Sequence, residues 1–134
     1  MSRIKSFPPI VPNNSKVLIL GSMPGEASLK AGQYYAHPRN VFWRIMGELF
    51  GADPSLLYQE RVVHLRATGV ALWDSLQACV RSGSLDASIT EEVPNDFPAF
   101  FAKYPGISHV YFNGGRDDLS SSRLAVVAEY AASL

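Results

Sequence analysis

The feature that most constrains this chain is a set of short apolar runs set between helical spacings. Lys16-Val17-Leu18-Ile19-Leu20 stops at Gly21, Val70-Ala71-Leu72-Trp73 follows Gly69, and Ser108-His109-Val110-Tyr111-Phe112 stops at Asn113-Gly114-Gly115. The first two runs are apolar almost throughout rather than alternating, as expected of strands covered on both faces of a parallel sheet. Between them, Phe42, Ile45, Met46 and Leu49 recur at the spacing of an amphipathic helix, which Gly51 ends. Asp53-Pro54 opens a second predicted helix running to about Arg66, with Asp as cap and Pro at the first position. A short helix is predicted around Ser75–Val80, then a polar stretch through Gly83, then a helix capped by Asn95 and reaching Tyr104. Residues 1–15 read as an extended lead-in, and Leu124, Val127, Ala128, Ala131 and Leu134 carry a final helical period. Strands separated by helices predict an α/β domain, three layers deep around a short parallel sheet.

At 134 residues the chain has room for one domain, and a 47% hydrophobic content supports a packed core. No apolar run approaches the ~18 residues that would cross a bilayer, and the N-terminus lacks the apolar stretch of a signal peptide. A cytoplasmic protein without membrane attachment is therefore expected. The single cysteine, Cys79, excludes an internal disulfide and a multi-cysteine zinc site. Formal net charge is zero, but residues 1–67 hold eight basic and four acidic side chains, so the basic charge lies in the first half.

In open parallel sheets the ligand crevice lies beyond the carboxyl ends of the strands. Gly21-Ser22-Met23-Pro24-Gly25 leaves the first strand there, and Asn113-Gly114-Gly115 leaves the third. The loop from Gly21 to Arg39 is long, as functional loops are. No phosphate-cradling GxxxxGK[ST], GxGxxG or GxSxG motif is present. His37, His64 and His109 lack metal-ligand spacing, so neither metal nor cofactor is expected. Cys79, between Ala78 and Val80, reads as a buried inert thiol. The remaining candidates are uncharged and each has a plain structural use: Asn40 as a helix cap, Asn113 as a strand-ending turn, Tyr34 and Tyr35 as packing.

Taken together, GSMPGEASL at 21–29 and YYAHPRNVFW at 34–43 resemble the uracil-DNA glycosylase superfamily, and within it the DNA-deoxyinosine (hypoxanthine-DNA) glycosylase branch. Gly69–Asp74, Gly83–Asp86, Pro94–Phe97 and Tyr111–Gly114 resemble later blocks of that branch, in the same order. The resemblance implies a DNA repair enzyme that flips a deaminated base out of the helix and hydrolyses its N-glycosidic bond, leaving an abasic site. It implies Tyr35 as the ring that stacks on the base, the backbone of Gly21, Ser22, Met23, Pro24 and Gly25 as pocket lining, and Asn113 as the reader of the base edge. A carboxamide offers one donor and one acceptor, matching O6 and N1–H of hypoxanthine, and O4 and N3–H of uracil. Many relatives place a carboxylate or carboxamide inside the GxxPG loop. Here Ser22 and Met23 stand there, as in the deoxyinosine branch, and the resemblance points to Asn40 as the catalytic group that orients water or assists departure of the base.

The resemblance stops near residue 114. The branch has a fourth strand and a second motif similar to LPSTSPA that enters the minor groove, and neither is found here. One domain spanning 1–134 and incomplete at its C-terminus is therefore expected. The alternatives to an active glycosylase are a catalytically defective remnant that binds DNA or a base weakly, and an unrelated small-ligand α/β domain. The partner expected is DNA containing a deaminated base. No obligate protein partner is expected, although an unpaired edge on the third strand would favour self-association.

Overall fold

The computed structural model describes residues 3–113. The three apolar runs form β2 (Val17–Gly21), β3 (Val70–Asp74) and β6 (His109–Phe112), and both partners lie parallel to β2 in the order β3-β2-β6. Every residue of β2 is buried, which explains the absence of polar alternation.

The strand period of two sorts these side chains onto two faces. Val17 and Ile19, with Val70 and Leu72, pack against α2 (Phe42–Phe50) and α3 (Tyr58–Ala67) through Phe42, Trp43, Met46, Phe50 and Leu65. Leu18 and Leu20, with Ala71, pack against Phe100 of α4 (Phe97–Lys103) on the opposite face. Helices on both faces of a parallel sheet make the expected three layers. Gly51 ends α2 at φ 78°, ψ 6°, a left-handed cap that costs glycine least.

A second, antiparallel sheet departs from the sequence expectation. Residues 75–80 are not a helix: Leu76–Val80 is strand β4, lying between β1 (Arg3–Lys5) and β5 (Thr90–Pro94). Cys79 is thus on a strand, and it is fully buried. The burial pattern explains the misreading, since only Gln77 of β4 is exposed and a five-residue apolar run fits either element.

Three boundaries also shift. The loop from Gly21 to Arg39 contains a short helix, α1 (Glu26–Ala31). The helix expected from Asp53-Pro54 begins only at Tyr58, and the Asp53 carboxylate instead accepts from the Ser55 N–H at 2.8 Å in a tight turn. Asp96, not Asn95, caps α4 by accepting from the Ala99 N–H at 3.0 Å. Asn95 donates its amide to the Asp74 carbonyl at 2.7 Å. Among the described residues, no helix is long and apolar enough to cross a membrane. The helical period at 124–134 and the departure from the family pattern after Gly114 lie outside the described residues.

Candidate active site

β2, β3 and β6 end together, and their last residues meet. Gly21 pairs in register with Asp74, and the Asn113 N–H donates to the Leu20 carbonyl at 2.6 Å, extending the β2–β6 ladder into the loop. A cavity of about 280 Å³ opens beyond these ends, small on the scale of ligand sites. Gly21 to Gly25, Tyr35, Asn40 and Asn113 all line it, so every residue singled out from the sequence reaches one place.

The glycines of the loop are there for space. A Cβ at Gly21 would come within 2.5 Å of the Asp74 carboxylate and 3.2 Å of the Tyr35 hydroxyl. A Cβ at Gly25 would sit 3.2 Å from the Ser84 hydroxyl. The loop carbonyls are turned into the protein. The Gly21 carbonyl accepts from the Ser75 N–H at 2.7 Å and its hydroxyl at 3.0 Å, that of Ser22 from the Leu76 N–H at 3.1 Å, and that of Pro24 from the buried Arg81 guanidinium. Arg81 also donates to the Gly83 carbonyl at 2.9 Å, and the Ser84 hydroxyl accepts from the Glu26 N–H at 2.8 Å. The loop is therefore fastened by groups from beyond residue 74.

Tyr35 adopts φ 54°, a left-handed conformation uncommon outside glycine and seen where surrounding structure over-determines it. Its ring stacks on Phe42 at a centroid distance of 4.0 Å and 27° between planes. Burial, and then the nearby Asp74 charge, push its hydroxyl pKa well above the ordinary tyrosine value. The Asn113 carboxamide works slightly the other way; it lies beside the hydroxyl, but the contact falls short of a well-formed hydrogen bond. Tyr34 is core instead. It is buried, donates its hydroxyl to the Pro8 carbonyl at 3.0 Å, and accepts the Trp43 indole N–H on its own carbonyl at 2.8 Å.

Asn40 is exposed at the cavity rim, and its side-chain oxygen accepts from the Phe42 N–H at 2.8 Å at the start of α2. The N-cap of α2 is Val41, without a side-chain cap, so Asn40 instead closes a turn one position ahead of the expected capping place. A carboxamide oxygen has two lone pairs, so one remains for a water molecule.

Lining residues given no site role from the sequence include Glu26, Ala27 and Ser28 of α1 together with Asp74, Ser84 and His37. Asp74 is buried at the carboxyl end of β3, where a charged residue closing an apolar run was the available signal. His37 accepts the Arg39 N–H on Nδ1 at 3.0 Å, so a neutral ring carries its proton on Nε2. Among the described residues, no group of three or more His, Cys, Asp or Glu side chains could hold a metal ion.

The Uracil DNA glycosylase superfamily model matches residues 8–107. A Hypoxanthine DNA glycosylase of Methanosarcina barkeri is 40% identical over 111 residues, covering 82% of this chain and 70% of the relative. One of the same description from Methanosarcina acetivorans is 35% identical over the same shares. The solution structure of a Methanosarcina acetivorans protein described as a candidate uracil DNA glycosylase superimposes with a TM-score of 0.75. It is 31% identical, and the match covers 94% of this chain and 79% of that one. With the strand-end cavity built from the same blocks of sequence, these matches place the chain in the uracil DNA glycosylase superfamily.

Proposed function

We infer that this chain is a base-excision DNA glycosylase whose substrate is hypoxanthine in DNA. The observation that carries this reading is the convergence of Asn40, Tyr35, Asn113 and the Gly21–Gly25 loop on one base-sized cavity. The substrate is supported by the two relatives described as hypoxanthine DNA glycosylases.

The chemistry asks for four things. The base must leave the stack, because its glycosidic bond is out of reach inside a duplex. Tyr35 lines the cavity and is stacked on Phe42, so a base laid on its other face would extend an existing stack. The base edge must be read, and the Asn113 carboxamide supplies one donor for O6 and one acceptor for N1–H. Negative charge grows on the base as the bond breaks, and donors aimed at it lower the barrier. Water must then reach C1′ of the sugar. Asn40 holds it through the lone pair not used by Phe42, and the products are free base and an abasic sugar. An amide is too weak a base to remove the proton outright, so Asn40 acts by orientation.

Release of hypoxanthine from a labelled duplex containing one deoxyinosine tests the reading. Uracil presents the same order of donor and acceptor and belongs in the same assay. Adenine presents the reverse order. No release of either deaminated base from the folded protein would overturn the proposal and favour a binding remnant.

A further inference from the structure

A second cavity, of about 530 Å³, opens beside the first and shares Tyr35, His37 and Asn40 with it. Arg39, Arg44 and Arg61 are among its other lining residues, and none of the described residues that line it is acidic. Arg39 and Arg44 are exposed, and neither is in an ion pair among the described residues. Arg61 is held in place: its guanidinium lies 5.0 Å from the Trp43 ring centroid and 5.5 Å from that of Tyr58, and its Nε donates to the Leu56 carbonyl at 3.1 Å. His37, on the shared wall, presents Nε2–H as a further donor in its neutral form.

Three guanidiniums in one concavity, with no carboxylate among its described lining residues, raise the local potential and favour an anion. Guanidinium matches phosphate in geometry, and Arg61 is already ordered by its two rings, so less freedom is lost on binding. The shared wall fixes the relation between the cavities. A nucleotide whose base enters the first must carry its sugar across Tyr35, His37 and Asn40, which brings its phosphates toward the second.

We propose that this second cavity binds phosphodiester groups of the lesion-bearing DNA strand, with Arg39, Arg44 and Arg61 as the phosphate-binding residues. The proposal rests on the DNA glycosylase reading above and adds the path of the strand away from the base pocket. It gives a use to three of the eight basic residues in the first half of a chain with no net charge.

The test uses the double variant Arg39→Gln/Arg44→Gln, both exposed positions, which leaves Arg61 packed on its rings. A charge-matched control is Lys16→Gln/Lys103→Gln; Lys16 precedes β2, at the opposite end of the strand from Gly21. Fluorescence anisotropy across a salt series, on labelled duplexes with and without deoxyinosine, gives affinity and the slope of log K against log[salt]. The arginine double variant is expected to lose about two units of slope, roughly one per phosphate contact, and at least ~10-fold in affinity at low salt. The lysine control is expected to change neither by comparable amounts. Equal changes in both variants, or none in the arginine variant, overturn the assignment. If the wild-type protein excises hypoxanthine while the arginine variant binds normally, the second cavity fails and the glycosylase reading stands. If the slope depends on Arg39 and Arg44 but no base is released, the phosphate site stands and the glycosylase reading fails. No DNA binding by the wild-type protein overturns both.

Discussion

The carboxylate of Asp74 fills the space that a side chain at Gly21 would need: a Cβ there would meet it at 2.5 Å. The two residues are register partners on neighbouring parallel strands, so the contact follows from the sheet itself. Glycine at the end of β2 lets the buried Asp74 side chain, the Tyr35 hydroxyl and the Asn113 carbonyl share one crowded point at the pocket floor.

Gly21→Ala should therefore displace Asp74 or Tyr35 and destabilise the protein by about 1–3 kcal/mol, the usual cost of overpacking. Shortening the opposing side chain should restore part of that loss, so Gly21→Ala with Asp74→Ser should be more stable than additivity allows. Denaturant unfolding of the two single variants and the double checks this. Strict additivity would mean that the two side chains do not compete for the same space.

Asn40 serves two purposes that one pair of variants separates. Asn40→Ala should lose ~1 kcal/mol of stability with the hydrogen bond from the Phe42 N–H. Asn40→Asp keeps an oxygen for that N–H and for a water. Single-turnover excision should fall at least ~100-fold in a folded Asn40→Ala protein and less in Asn40→Asp. Normal excision by a stable Asn40→Ala variant would leave Asn40 a turn-closing acceptor and nothing more.

Asn113→Ala should reduce hypoxanthine release far more than it reduces DNA binding, because base-edge contacts specify while phosphate contacts position. The two are measured side by side, by single-turnover release and by anisotropy on an undamaged duplex. Proportional loss of both, accompanied by a lower unfolding midpoint, would return Asn113 to a turn role.

Alkaline pH should weaken the fold through two tyrosines. Burial raises the hydroxyl pKa of Tyr34 and of Tyr35 well above the ordinary tyrosine value of 10.0. Above pH 10 the unfolded chain releases these protons while the folded one keeps them. The folded state then binds more protons, and stability falls as pH rises. The slope should approach ~1.4 kcal/mol per pH unit for each tyrosine. Below pH 10 neither contributes a pH dependence. Tyr58 is raised by burial as well, so Tyr35→Phe should lower the alkaline slope by up to ~1.4 kcal/mol per pH unit without abolishing it, as read from urea unfolding at successive pH values.

The parallel sheet was legible because each of its strands carries its own signal. Val17–Gly21 and Val70–Asp74 are buried almost throughout, and unbroken apolar runs announce that. The antiparallel sheet was hidden because its outer strands carry no such signal. Arg3–Lys5 and Thr90–Pro94 are mostly exposed, and they are strands only because β4 lies between them. α1 was hidden for a related reason. It has six residues, and its first N–H is satisfied by the Ser84 hydroxyl from 58 positions away. At the site, Asn40, Tyr35, Asn113 and the glycine-rich loop stood out through the family resemblance. Asp74, Ser84 and Arg81 did not, because their contacts with the loop join segments that only the folded topology brings together.

The buried guanidinium of Arg81 gives the antiparallel sheet a use that its own composition does not suggest. That sheet supplies no residue to the cavity floor, yet the side chain leaving its central strand clamps the Pro24 carbonyl from behind. It behaves as an abutment: the parallel sheet presents the pocket, and the small sheet keeps the pocket's lip from drifting. Sequence drift should therefore be lopsided across it. Thr90–Pro94, exposed along its whole length, has more room to change its side chains so long as it still pairs. Position 81 cannot, because a lysine there would replace a planar fork that spans two carbonyls with a single point charge.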